Sequence, residues 1–358
     1  MSRLSSLVSS TANASLEQSL RNALLRRGGH TSNFLDELET LALRIGLIQG
    51  NLHPVLRFPQ LLLFAADHGV VVDFGKACKG PTSAQLVERL LNQQLPTGIF
   101  ARQQGMQLAV VDCGLADAAT GHPKLYARKI AHGSRNVRVG PAMSLEQTQS
   151  AMRVGMEIAY GLPGNVVACA GIGLGSDAAA CLLLARLGDA KLNELLDAGS
   201  HMERGDLEHM VKVLDAALKR HKPLGDAVET LAALGGYEVA VMVGVMLVAA
   251  RKRHLIMVDG LAACAALMVA ARISPMVVHY CVHVRSHTHA GLDHAIALFH
   301  AKPLLDLGLN HINGTGATLS WPIVRAAAAL LSSIVEPPEP SLPPENPDHP
   351  GLDVTHIE

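Results

Sequence analysis

Two hydrophobic patterns follow one another along the chain. Near the N-terminus apolar residues recur at helical spacing: Leu16, Leu20 and Leu24, then Leu35, Leu38, Ala42 and Ile45. Steps of three and four put such side chains on one helix face, so two amphipathic helices are predicted. Ser15 and Gln18 have the spacing of a capping box ahead of the first, and Gly28-Gly29 ends it. From residue 60 the pattern changes to short continuous apolar runs that end in small or acidic residues. Residues 60–66 run into Asp67-His68-Gly69, 107–111 into Asp112-Cys113-Gly114, 165–170 into a glycine loop, and 254–258 into Asp259-Gly260. Residues 276–282 are another strand candidate. Residues 304–309 lead through Asn313-Gly314-Thr315-Gly316 into a helix over 317–334. Repeated strand–loop–helix units predict an α/β protein with a doubly wound, mostly parallel sheet. Ligands of such sheets sit at the carboxyl ends of the strands, where these Asp, Gly and Asn residues fall.

Composition narrows the class. A length of 358 residues suits one large domain or two modest ones. Apolar residues make up 49% and charged residues 17%, below the usual share of about 25%. That is too apolar for a disordered chain. The net charge of −1 supplies no field for sequence-independent nucleic-acid binding, and 3% aromatics supply no stacking platform. The strongly apolar uncharged runs 239–250 and 260–271 fall short of the roughly 18 apolar residues of a membrane span. Six cysteines at 78, 113, 169, 181, 264 and 281 form no CxxC pair and read as buried hydrophobes of a reducing compartment. The N-terminal stretch lacks an apolar signal region. A cytoplasmic protein is expected. The tail from Glu336 carries seven prolines and little apolar content, so it is expected to be disordered.

Several groups are candidates for chemistry. Gly171-Ile-Gly173-Leu-Gly175-Ser176-Asp177 follows a strand and opens a helix, where free N–H groups suit an anion. Its spacing is neither GxGxxG nor that of a P-loop, and a tight strand-to-helix turn is the plainer reading. Asn313-Gly314-Thr315-Gly316 poses the same choice. Asp67-His68 and Asp259 are either acid/base groups or structural strand ends. Lys212 lies in a helical stretch and reads by default as solvated. His283, His287, His289 and His294 are crowded enough to suggest metal, but no Cys or Glu completes a familiar ligand pattern, so loop histidines are the preferred reading.

Seven stretches, taken together, carry a resemblance. FAADHGV (64–70), VVDCGL (110–115), GSRN…GPAMS (133–144), GIG (171–173), LGGYEVAVMVG (234–244), VDGLAACAAL (258–267) and PLLDLGL…GTGA (303–317) occur in the order and spacing of the nicotinate-nucleotide:dimethylbenzimidazole phosphoribosyltransferase family of cobalamin biosynthesis. The chain resembles that family from about residue 35 to 335. The resemblance implies a small helical domain built from N- and C-terminal segments beside the α/β domain. The expected boundaries are 1–58 for the N-terminal helices, 59–316 for the α/β domain, 317–335 for the returning helix and 336–358 for the tail. It implies transfer of ribose 5-phosphate from nicotinate mononucleotide to a benzimidazole nitrogen, with no metal and no cofactor. It further implies a homodimer, or a heterodimer with a paralogue. By position it assigns Gly171, Gly173, Gly175, Ser176, Lys212, Gly314, Thr315 and Gly316 to the phosphate and nucleotide. It assigns Gln85, Asp67 and His68 to the acceptor base, an azole or a phenol. Glu238 and Asp259 become further polar site residues.

The chain also departs from the family. Its catalytic glutamate corresponds to Asn313, whose amide orients a group but takes no proton at neutral pH. Another glutamate becomes Cys169, a third becomes Gly291, and NTT after GIG becomes Leu174-Gly175-Ser176. The serine of the acceptor slot falls near Lys76. The alternatives are an active transferase with an altered acceptor, with His287 or Glu238 standing in as base, and a non-catalytic homologue that binds nucleotide or base.

Overall fold

Six strands form one sheet: β1 (Gln60–Ala66), β2 (Gln107–Gly114), β3 (Leu125–Ala127), β4 (Val166–Ile172), β5 (Leu255–Asp259) and β6 (Cys281–Val284). All neighbours are parallel, in the order β3-β2-β1-β4-β5-β6. The structure, a computed structural model, describes residues 7–27, 36–75, 80–119, 121–196, 203–223 and 225–332. Gly28, Gly29, Leu35, Lys76, Cys78 and the proline-rich tail lie outside them. The chain moves outward from β1 to β3, then returns to the other side of β1 and runs out through β6. Its direction therefore reverses between β1 and β4. The connections leaving those two strands diverge, which opens a crevice at their carboxyl ends.

The strands read as unbroken apolar runs because both faces are covered. β1, β4, β5 and β6 are buried along their whole length. The helices, in order, are α1 (Ala14–Arg27), α2 (Glu37–Gln49), α3 (Ser83–Leu91), α4 (Pro96–Gln103), α5 (Leu145–Gly161), α6 (Ser176–Gly188), α7 (Leu192–Leu195), α8 (Arg204–Arg220), α9 (Ala227–Leu234), α10 (Tyr237–Arg251), α11 (Leu261–Ile273), α12 (Ala290–Ala297) and α13 (Thr315–Ser332). α10 packs on β1, β2, β4 and β5, and α11 on β4 and β5. Beyond Glu238 in its first turn, α10 is apolar all round, and it is buried from Tyr237 to Ala250, as a helix enclosed on every side must be. It crosses α5 at near backbone contact. A Cβ on Gly155 would stand 2.0 Å from the Val241 carbonyl oxygen, and one on Gly244 2.1 Å from that of Met152. α1, α2 and α13 pack on one another. Leu20, Ile45 and Leu331 of that group belong to one continuous core with the sheet.

Local chemistry sets the element ends, with some departures from the sequence pattern. Thr82 with Gln85, and Ser144 with Gln147, close capping boxes on α3 and α5. α1 starts two residues earlier than its capping signal suggests: Asn13 Oδ1 accepts the Leu16 N–H at 3.0 Å, and Ser15 is already inside the helix. Residues 276–280 are not strand. Pro275, which lacks an N–H for the ladder, opens a 3-10 helix over Pro275–Tyr280, and β6 begins only at Cys281. Residues 304–309 add no strand among the described residues; the Leu304 N–H donates to His283 O at 2.9 Å, and only isolated bridges, His283 with Pro303 and His287 with Asn310, tie this stretch to β6 and the chain after it. β3 escapes the pattern because it is three residues long at the sheet edge, none of them buried. α13 starts at Thr315 and accommodates Pro322. No helix among the described residues is long and apolar enough to cross a membrane. The five described cysteines are free and buried.

Gly155→Val tests the helix crossing. Overpacking against a carbonyl is expected to cost about 3 kcal/mol or more, read from the urea midpoint. Gly161→Ala, with open space at its Cβ position, is expected to leave it unchanged.

Candidate active site at the strand ends

Asp67, just after β1, meets three neighbouring segments. Its Oδ1 accepts the Ser83 hydroxyl and, at 3.2 Å, the Leu174 N–H, while Oδ2 accepts the Ala116 N–H at 2.8 Å. One carboxylate thereby joins the loops after β1, β2 and β4 and the start of α3. Asp259, the last residue of β5, has a parallel role and is wholly buried. Its Oδ2 accepts the N–H groups of Gly314 at 3.0 Å and Ala317 at 2.9 Å, and Ser286 Oγ donates to it at 2.8 Å. The Ser286 oxygen in turn accepts the Gly316 N–H at 2.7 Å. Burial raises the Asp259 pKa, and these hydrogen bonds only partly oppose the rise.

These contacts change the meaning of both glycine turns. The amides of Gly314, Gly316 and Ala317 look from the sequence like a phosphate cradle. They already serve an internal anion and its serine. In the other turn the Leu174 N–H goes to Asp67 and Ser83, and the Ser176 N–H turns back to Gly173 O at 3.2 Å. Glycine is needed there for packing. A Cβ on Gly173, whose φ is +149°, would strike Ala66 O at 1.7 Å, and one on Gly171 would strike Ala262. Ser176, expected to face a phosphate, points inward: its hydroxyl donates to Glu238 Oε1 at 2.9 Å.

Glu238, at the start of α10, also lies 2.8 Å from His68 Nε2. Both side chains are shut off from solvent. Burial by itself lowers the His68 pKa. The charge and hydrogen bond of Glu238, with Asp67 and Asp177 behind them, outweigh it and raise the pKa above 6.5. The His68 N–H donates to Leu174 O at 3.1 Å. His68 and Glu238 therefore clamp the β1 loop to the β4 loop and are closed to an acceptor base. Gln85 uses its Oε1 to accept the Thr82 N–H at 3.0 Å in the α3 capping box.

Asn313 bridges the two halves of the crevice. Its Nδ2 donates to Gly171 O at 3.0 Å, its side chain lies against Gly260, and its Oδ1 has no partner among the described atoms. Cys169 is interior on β4, where burial pushes its thiol pKa up. Thr315 is buried and donates to Ile312 O at 2.9 Å. Lys212 does not reach the glycine loop. It lines a separate recess with Arg204 and Leu207, between α7 and α8. Met210, two positions back and about 200° round the helix, faces the loop instead.

The open space beside the β4 loop is a recess of about 180 Å³ lined by Gly173, Gly175, Asp177, Met210, Leu261 and His289, among others. In the sequence Asp177 belongs to the glycine loop, Met210 carries no signal of its own, and His289 belongs to the histidine group. That group is dispersed. His283 is buried and stacks on Phe299 at 5.4 Å, burial holding its pKa down at about 4. His287 and His289 meet edge to face at 5.5 Å, and His294 lies 3.7 Å from Glu194. Among the described residues no three His, Cys, Asp or Glu side chains are placed to hold a metal ion. Behind the recess, buried Arg285 at the end of β6 pairs with Asp293 at 2.9 Å and Asp306 at 3.0 Å.

A six-stranded parallel sheet of this order, with two glycine turns near its reversal point, defines a nucleotide-type α/β protein whose site lies at the strand ends. Comparison with known proteins refines this, and the chain belongs to the phosphoribosyltransferase family, whose profile matches residues 10–339. It is 38% identical over 299 residues to the nicotinate-nucleotide–dimethylbenzimidazole phosphoribosyltransferase of Variovorax paradoxus (strain S110), covering 83% of this chain and 85% of that one. It is 39% identical over 303 residues to the protein of the same name from Cupriavidus taiwanensis, covering 84% and 88%. Among solved structures it is similar to CobT from Thermus thermophilus, with a TM-score of 0.81 and 28% identity over 88% of this chain and 96% of that one.

Two predictions come from this geometry. Asp259→Ala strands two buried N–H groups and a hydroxyl and is expected to cost at least about 3 kcal/mol in urea unfolding. Asp259→Asn, which keeps an acceptor, is expected to cost less than half as much. The second concerns pH. Because the folded-state pKa of His68 is raised, its stabilisation is complete below pH 6.5 and is lost as pH rises through the folded value. The urea midpoint should fall as buffer is taken upward from pH 6.5, and fall less in Glu238→Gln.

Proposed function

We propose that this chain catalyses the reaction for which those relatives are named. It transfers ribose 5-phosphate from nicotinate mononucleotide to 5,6-dimethylbenzimidazole or a related azole or phenol, and releases nicotinate. The support is the family assignment over most of both chains, joined to a crevice at the β1/β4 reversal. The leaving group is a pyridinium whose nitrogen becomes neutral as its bond to C1′ breaks, so little acid assistance is required. The incoming nitrogen loses a proton, so an acceptor for it is useful. Asn313 orients, through its bond to Gly171 O and its buried, unpaired Oδ1. The protein acts as a homodimer or beside a paralogue.

A second reading, a homologue that binds nucleotide or base without turnover or pairs with an active paralogue, is supported by the resemblance: it sets the amide of Asn313 against the family's catalytic glutamate, and an amide takes no proton. Nicotinate release from nicotinate mononucleotide, followed with a panel of azoles and phenols, separates the two. Transfer predicts release with at least one acceptor, and a rise of tenfold or more in Asn313→Glu. No release from wild type with any acceptor, alone or mixed with a paralogue, would overturn the transfer reading, and nucleotide binding by that protein would then support the second.

A further inference from the structure

Asn313 and Gly314 form the chain's only Asn-Gly pair. Such a pair is prone to lose its side-chain amide. The main-chain nitrogen of the second residue attacks the side-chain carbonyl carbon of the first, and a glycine brings no Cβ to block the approach. Gly314 has a φ of +93°, a state open to glycine, so the unhindered nitrogen is built into this turn. Its N–H donates to Asp259 Oδ2 at 3.0 Å. A carboxylate is therefore already placed on the proton that the attacking nitrogen must lose. Burial raises the Asp259 pKa, which makes it a stronger base than an exposed aspartate. The target is lightly held. Asn313 Nδ2 donates to Gly171 O at 3.0 Å, and Oδ1 has no partner among the described atoms. Turning the carbonyl carbon toward the Gly314 nitrogen costs a single hydrogen bond.

We infer that Asn313 is a site of self-modification, at which the Gly314 nitrogen displaces the side-chain amide with Asp259 as base and a carboxylate is left behind. The Gly314 N–H proton passes to Asp259 as the nitrogen bonds to Cγ of Asn313. The bond from Cγ to Nδ2 then breaks, and Nδ2 departs as ammonia with the proton that Asp259 returns. Residues 313 and 314 now share a succinimide ring. Water, which the half-buried Asn313 admits, opens it. Attack at Cγ restores the main chain and gives aspartate, and attack at the main-chain carbonyl carbon gives isoaspartate. Either product lacks the Nδ2 donor, so the bond to Gly171 O is lost and the new carboxylate is released from the β4 loop. The resemblance sets the family's catalytic glutamate at this position, and the modification supplies the proton acceptor that an amide lacks. That consequence rests on the transfer reading above; the modification itself does not.

The test follows residue 313 by peptide mass spectrometry in wild type kept at neutral pH, both folded and unfolded in urea. Conversion exchanges NH₂ for OH in the peptide mass, and chromatography separates the two acids. Loss of a general base slows a step by about 10²–10⁴-fold. The folded chain is expected to convert at least about tenfold faster than the unfolded one. Asp259→Asn, which keeps an acceptor but no base, is expected to convert at least about tenfold more slowly than folded wild type. Asn313→Gln, whose longer side chain misplaces the carbonyl carbon, should not convert. Nicotinate release should rise in step with the aspartate fraction in wild type and stay flat in Asn313→Gln. If folded wild type keeps its asparagine, or converts no faster than the unfolded chain, the inference is wrong and the transfer reading is untouched. That comparison decides the matter even where Asp259→Asn fails to fold. An unchanged rate in folded Asp259→Asn would overturn Asp259 as the base. If residue 313 converts and no nicotinate is released with any acceptor, the modification stands and the transfer reading falls.

Discussion

Carboxylates placed at strand ends hold this site together. Asp259 closes β5 and accepts the amides of Gly314 and Ala317 as well as the Ser286 hydroxyl, and Asp67 does comparable work after β1. A strand in a parallel sheet delivers its last residue to the same edge as its neighbours do. An acid there meets the N–H groups of the turns and helix starts that follow those neighbours. Burial penalises the Asp259 charge, and the donors it gathers offset part of that penalty. The loops over the site therefore cannot shift independently, because each depends on an anion belonging to another segment.

This arrangement decides what the glycines do. At Gly171 and Gly173 the missing side chain permits contact with Ala262 and with the Ala66 carbonyl, and at Gly155 and Gly244 it permits α5 to cross α10. Close packing places the β4 loop against His68, which Glu238 anchors from the first turn of α10. The polar groups of the floor are consumed in holding the floor. At the rim, Asp177 and His289 line the recess beside the loop.

Much of the fold is legible in residue order because burial on both faces of a parallel sheet leaves a plain signature. Residues 60–66 and 254–258 have no polar alternation to confuse, and α10 has no polar face to find. The signature fails where an element is too short or its role is set elsewhere. β3 has three residues, all outside the core, and residues 276–280 look like strand until Pro275 starts a 3-10 turn. Site roles fail more often. Ser176 and Lys212 have suitable chemistry in a suitable stretch, yet one points into Glu238 and the other lies round the helix from the loop. Asp177 stands in plain sight within the glycine loop and carries no spacing signal of its own.

What the sequence by itself determined is the class and the family. Runs of apolar residues ending in Asp or Gly dictate the strands and their exits, and seven ordered motifs carry the kinship. Which polar groups remain open to a ligand was decided only in three dimensions. Whether a carboxylate is spent or available depends on the donors that other segments bring to it. Asp259 and Asp177 are the same residue type at similar strand-end turns. One is saturated by residues 286, 314 and 317, and the other faces an apolar recess that α8, α11 and α12 complete.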